Sequence, residues 1–204
     1  MVIKIGVLEL QGGFALHHKI LSGMDIKSVP VKNSNHLENI DGLIIPGGES
    51  STISLLIKSN EMFKPLAEFS KKNPVMGTCA GLILMSKFCN DQGVRTLGLL
   101  DITVSRNAYG RQVYSKTEHV NYTFGNKKTK KIPTTLIRAP KIEQINKDII
   151  ILGEIAGSPV AILSGHFLGL TFHPELDGIS LFHELLFDHN SDIFYKKINR
   201  KYAA

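Results

Sequence analysis

Only two cysteines occur in the 204-residue chain, Cys79 and Cys89, and their spacing is not that of a metal-ligand pair. Neither a zinc knuckle nor a disulfide framework can be built from them. No stretch approaches the roughly 18 apolar residues of a membrane helix, and the N-terminus opens into strand-like sequence without the arrangement of a secretory leader. A soluble, cytoplasmic protein is expected, in which a lasting disulfide is disfavoured. Internal repeats are absent, and His183-Glu184 lacks the second histidine of a zinc protease, so no metal is expected. The formal net charge of +6 is the one compositional hint of a polyanionic partner. Much of it lies in two clusters, Lys127, Lys128, Lys130 and Lys131 after a Gly125-Asn126 hairpin tip, and Lys196, Lys197, Arg200 and Lys201 near the C-terminus. Both read as solvated charge, so neither nucleic acid nor a membrane is expected as partner.

The length suits one domain with a full core, expected over residues 1–189 and followed by a basic tail over 190–204. Buried-strand patterns over residues 1–10, 26–31, 41–45 and around Val75 alternate with helical stretches at 14–21, 50–60 and 62–72. Ser50, Ser51 or Thr52 is expected to cap the second of these helices. From Leu99 the pattern changes to strands at 99–105, 119–124, 134–138, 148–155, 160–164 and 167–172, before a last helix at 179–189. The expected fold is α/β, a single-domain open mixed sheet flanked by helices, mostly parallel in its N-terminal half with antiparallel hairpins in its C-terminal half. In such a sheet the ligand site lies beyond the carboxyl ends of the parallel strands, where loops 11–13, 46–49 and 77–81 converge.

The last of those loops carries the chemistry. Val75 and Met76 form a strand that breaks abruptly at Gly77-Thr78-Cys79-Ala80-Gly81 into a helical pattern running to Phe88, with Cys89 near its end. A nucleophile elbow has this form, with sulfur in place of oxygen. Glycines flank the tight turn, and the first turn of the following helix favours a thiolate through its free N–H groups and positive dipole end. Taken alone, the pattern leaves Cys79 either a nucleophile or a packed core cysteine.

A cysteine nucleophile in acyl transfer needs a base and a group to hold that base. His173-Pro174-Glu175 supplies both, because Pro174 keeps its predecessor extended and residues two apart in an extended segment face the same way. The other seven histidines, His17 and His183 among them, have no such context and are assigned no role. Oxyanion donors are expected from the Ala80 N–H and from a glycine N–H of Gly47-Gly48. Arg106 and Arg138, at strand ends, could hold a substrate carboxylate.

With these residues assembled, the chain resembles the triad (class I) glutamine amidotransferases, and more narrowly the glutaminase subunit family of pyridoxal 5′-phosphate synthase. The resemblance runs in order through Leu10-Gln11-Gly12, Pro46-Gly47-Gly48-Glu49-Ser50, Gly77 to Gly81, Arg106-Asn107-Ala108-Tyr109-Gly110-Arg111-Gln112, Ile137-Arg138-Ala139-Pro140 and Phe172-His173-Pro174-Glu175-Leu176. It implies a catalytic triad of Cys79, His173 and Glu175, and L-glutamine bound by Gly47, Gly48, Glu49, Arg106, Ile137 and Arg138. It also implies an oxyanion hole of Gly48 and Ala80, Gln11 at a partner interface, and no cofactor. The implied partner is a synthase subunit of the PdxS type in a large hetero-oligomer, which would receive the ammonia for vitamin B6 synthesis. Val113-Tyr114-Ser115-Lys116 departs from the family pattern after Gln112. The rival readings are a glutaminase serving another acceptor, such as the histidine pathway, a silent assembly subunit, or a cysteine redox sensor.

Overall fold

A computed structural model describes residues 3–106, 116–125 and 128–198. The 107–112 part of the arginine motif, the divergent 113–115 stretch, Asn126, Lys127 and residues 199–204 lie outside it.

Seven strands make the main sheet, in the order β10-β11-β12-β4-β3-β1-β2. Its parallel part is β2 (Lys27–Val31), β1 (Lys4–Leu8), β3 (Gly42–Ile45), β4 (Val75–Thr78) and β12 (Phe167–Leu170). β11 (Ser158–Ser164) and β10 (Ile150–Ile155) complete it as an antiparallel edge. The mixed α/β sheet read from the sequence is thus the observed one. Because β1, β3, β4 and β12 run in the same direction, their following loops, which hold Gln11, Gly47, Cys79 and His173, emerge at one edge.

Strand alternation separates two cores. Val7, Ile44 and Met76 face a core with Leu21 of α1 (Phe14–Gly23) and Leu185 of α5 (Leu181–Phe187). Leu8, Ile45 and Val75 face the other, with α2 (Ser50–Ser59), α3 (Phe63–Ser70) and α4 (Ala80–Met85). Phe172, fully buried against Tyr122 and Phe182 at ring separations of 5.7 and 5.3 Å, anchors the chain just before His173.

Several local expectations are corrected. Residues 80–88 do not form one helix: Ser86 Oγ turns back onto the Ile83 carbonyl at 2.7 Å, and Ser86–Cys89 is strand β5, paired with β6 (Leu100–Ser105). Cys89 is therefore a strand residue. The second helix is capped by Glu49, one position before the expected serines, with its carboxylate accepting from Ser51 and Thr52. Lys128–Leu136 is strand β8, paired antiparallel with β7 (Lys116–Phe124), so Lys130 and Lys131 are exposed strand residues opposite Tyr122 and Asn121. Strand β9 (Lys141–Ile145), which pairs with β6, was not legible in the sequence pattern. Near the C-terminus, Ile193, Phe194 and Tyr195 are buried in the first core, and Tyr195–Ile198 forms α6.

Candidate active site

The elbow is built from backbone constraint. Cys79 holds φ 48° and ψ −102°, a conformation that side chains rarely adopt and that persists where the surroundings over-determine it. Those surroundings are visible. A Cβ on Gly81 would lie 1.9 Å from the Ile45 carbonyl oxygen, and one on Gly77 would lie 2.6 Å from the Gly81 carbonyl carbon. The two glycines therefore let the turn close against β3. The Cys79 N–H donates to the Leu170 carbonyl at 2.8 Å, which fixes the elbow to β12. Cys79 is 8% exposed, and its sulfur lies 4.0 Å from the Ile137 carbonyl oxygen.

His173 Nδ1–H donates to Glu175 Oε1 at 2.7 Å, while Glu175 itself is buried. Burial opposes a charge on His173, but hydrogen bonding and attraction from Cys79 and Glu175 outweigh it and push the imidazole up to about 10. Across the neutral range the arrangement favours an imidazolium beside the sulfur, a proton donor in place for a leaving amine. Glu175→Gln removes one of those raising influences. The basic limb of its pH–activity profile should therefore move to lower pH than in wild type, by about one unit; an unmoved limb would show that Glu175 does not act on His173.

Gly47 lies directly against the ring, where a Cβ would come 2.2 Å from His173 Cε1. Its N–H donates to Thr78 Oγ1 at 3.0 Å, and its carbonyl accepts from the Gly13 N–H at 2.9 Å. Gly12, at φ 111°, packs so closely that a Cβ would meet the Gly47 oxygen at 2.1 Å. Because the peptide is planar and trans, anchoring the Gly47 carbonyl also sets the direction of the Gly48 N–H. Gln11 Oε1 accepts from the Glu49 N–H at 2.9 Å and lies beside Gly48, so the Gln11 side chain latches this loop.

Glu49 is paired with Arg106, whose other guanidinium nitrogen bonds Asp91 at 2.6 Å. Burial raises the Glu49 carboxyl, but hydrogen bonds from Ser51 and Thr52 and the Arg106 charge hold it at about 2. A carboxylate and a guanidinium thus sit together near the elbow and could receive the two charged ends of an amino acid. Arg138, exposed and at φ 45°, directly follows Ile137. The structure thus groups Cys79, His173, Glu175, Gly47 and Ile137 by contact, and joins Gly48, Glu49, Arg106 and Gln11 to them through the glycine loop.

Sequence reading missed three members of this neighbourhood. Thr78 holds Gly47, Asp91 holds Arg106, and His17 lies buried behind Glu175. The only signal for His17 was its place with Phe14 and Leu21 on the apolar face of a helix. Among the described residues no group of three or more His, Cys, Asp or Glu could hold a metal, and no helix is long and apolar enough to cross a membrane.

The sheet and its elbow define the class of the glutamine amidotransferases. A solved structure described as a glutamine amidotransferase aligns at a TM-score of 0.84 and 32% identity, covering 90% of this chain and 97% of that one. PurLQS from Thermotoga maritima shares the fold at a TM-score of 0.64 and 17% identity, over 100% of this chain and 98% of its own. The chain belongs to the SNO glutamine amidotransferase family, whose profile matches residues 7–189. It is 42% identical over 186 residues to the pyridoxal 5′-phosphate synthase subunit PdxT of Solibacter usitatus, covering 89% of this chain and 96% of that protein. The same identity extends over 189 residues to PdxT of Oenococcus oeni, covering 90% and 95%.

Proposed function

We propose that this protein is the glutaminase subunit of a pyridoxal 5′-phosphate synthase, hydrolysing L-glutamine and passing the ammonia to a synthase subunit of the PdxS type in a cytoplasmic hetero-oligomer. The observation that carries the reading is the strained Cys79 elbow beside the His173–Glu175 pair, in a chain of this family.

The chemistry follows from the groups present. Cys79 sulfur attacks the side-chain amide carbon of glutamine, forming a C–S bond while the carbonyl oxygen takes up the electron pair. The Ala80 and Gly48 N–H groups receive that oxyanion. As the C–N bond breaks, the His173 imidazolium gives its proton to nitrogen and ammonia leaves, with a glutamyl thioester on Cys79. Water then attacks the thioester. His173 takes its proton, the C–S bond breaks with its electron pair going to sulfur, glutamate departs, and the thiolate beside the imidazolium is restored. Through both halves Glu175 holds Nδ1 of the ring, as a carboxylate does in other triads. At the far end of glutamine, Arg106 and Arg138 would face the α-carboxylate and Glu49 the α-ammonium.

Gln11 lies at the loop that sets the Gly48 N–H and at the edge where a partner could press on it. Docking of the synthase is therefore expected to tune the oxyanion donor. Ammonia release from glutamine, measured for the subunit alone and in a verified complex with its cognate synthase, tests the whole reading. The complex should turn over at least about tenfold faster. A verified complex that releases no ammonia would end the glutaminase reading, and equal rates would remove the role of docking.

A further inference from the structure

Behind the candidate triad lies a buried pair that the chemistry above does not use. Glu175 spends Oε1 on His173, but its Oε2 is buried without a hydrogen-bond partner. The group facing that oxygen is His17 Nε2, at 3.6 Å, and the same nitrogen is 3.5 Å from Thr78 Oγ1. On its other side His17 Nδ1 lies 3.0 Å from His183 Nε2, with both rings fully buried. A line of groups thus runs from the elbow through His173 and Glu175 to α1 and α5.

We propose that His17, braced by His183, is a positioning residue for the proposed triad: it presents an N–H to Glu175 Oε2 and so keeps Oε1 on His173. The proposal rests on the reading of Cys79, His173 and Glu175 as a working triad. Its geometry selects a tautomer, assigned from the network. A proton on Nε2 gives the carboxylate a donor, whereas a bare Nε2 would aim a lone pair at it. Nδ1 then accepts from the His183 Nε2–H across the 3.0 Å contact between the rings.

Neutrality is what suits a histidine to this place. A buried cation here would draw the charge of Glu175 away from His173. Burial, then the nearness of His183, His173 and His18, keeps the His17 imidazole well below its ordinary value. Burial likewise pushes His183 down to about 3, against a smaller opposing pull from the Ile179 backbone. His17 also touches the machinery a second way, since Thr78 Oγ1 is the acceptor for the Gly47 N–H. One buried ring therefore sits beneath both the carboxylate and the glycine loop.

Three substitutions separate this role from simple packing. His17→Gln keeps a donor near the place of Nε2, His17→Asn keeps a partner for His183 but cannot reach Glu175, and His17→Leu fills the volume with neither. In the synthase complex, Leu and Asn should lower kcat for glutamine by at least about tenfold with KM changed less than twofold, while Gln stays within about threefold of wild type. The alkylation rate of Cys79 by iodoacetamide, followed on its own peptide by mass spectrometry, should fall in the same order. In a Glu175→Gln background His17→Leu should cost clearly less than in wild type, because its route through the carboxylate is gone and only its contact with Thr78 is left to lose. If the Leu variant does not fold, the two amides carry the test between them. Asn outperforming Gln, all three within twofold of wild type, or the same loss in both backgrounds would each overturn the proposal. Should wild type release no ammonia while the alkylation order and its coupling to Glu175 hold, the glutaminase reading falls and the role of His17 stands.

Discussion

Cys79→Ala should lower glutamine turnover in the synthase complex by at least about 10⁴-fold, because no other described thiol lies beside His173 to form the thioester. Cys89 lies on β5 with its sulfur directed at Asn90, so Cys89→Ala should change turnover less than about twofold. The stability of the same variants gives an independent reading. At φ 48° a non-glycine residue is strained by about 1–3 kcal/mol. Cys79→Gly should therefore melt at or above the wild-type temperature while being as inactive as Cys79→Ala. Thermal unfolding beside ammonia release checks both halves. A Cys79→Gly protein that is markedly destabilised would show that the elbow stores no strain, and one that retains turnover would remove Cys79 as nucleophile.

That strain also explains which parts of the site were legible in the sequence. Gly77, Cys79 and Gly81 announce themselves because the elbow is a local backbone demand: a Cβ at Gly81 would collide with Ile45, and no distant residue can relieve that. His173-Pro174-Glu175 is legible for the same reason, since Nδ1 and Oε1 meet across two residues of chain. β1, β3 and β4 show in the pattern because buried parallel strands are apolar on both faces. The errors lie where a nonlocal contact decides. Residues 86–89 follow an apolar pattern that a helix could have continued, and pairing of Ser86 with Leu100 made them a strand. Three residues qualified as the cap of α2, but the longer Glu49 carboxylate reached Ser51 and Thr52 first and gained Arg106 as well. His17 was invisible because its partner His183 is 166 residues away, and spacing within α1 could only say that it faces inward.

The loop at Gly47 offers the second large effect. Gly47→Ala should lower kcat in the complex by about 10²-fold or more, since a displacement of about 1 Å at the reacting groups costs that much. The added Cβ would lie 2.2 Å from His173 Cε1 and 2.9 Å from Nδ1, so either the ring or the loop must shift. His173 is tied by its 2.7 Å bond to Glu175 and by the buried Phe172 before it. The loop is tied by the bonds from Gly47 to Thr78 and Gly13. Whichever yields, the proton donor or the oxyanion donor leaves its place, and turnover falls without a matching loss of the fold. Gly23→Ala is the contrasting substitution: at the end of α1 an added Cβ would have no atom within 4 Å, so activity should hold and stability should rise by up to about 1 kcal/mol. The decisive measurement is kcat beside the melting temperature for both variants. Near-wild-type turnover in Gly47→Ala would mean that the His173 ring has room to retreat, and that the contact between glycine and imidazole does not set the geometry of proton transfer.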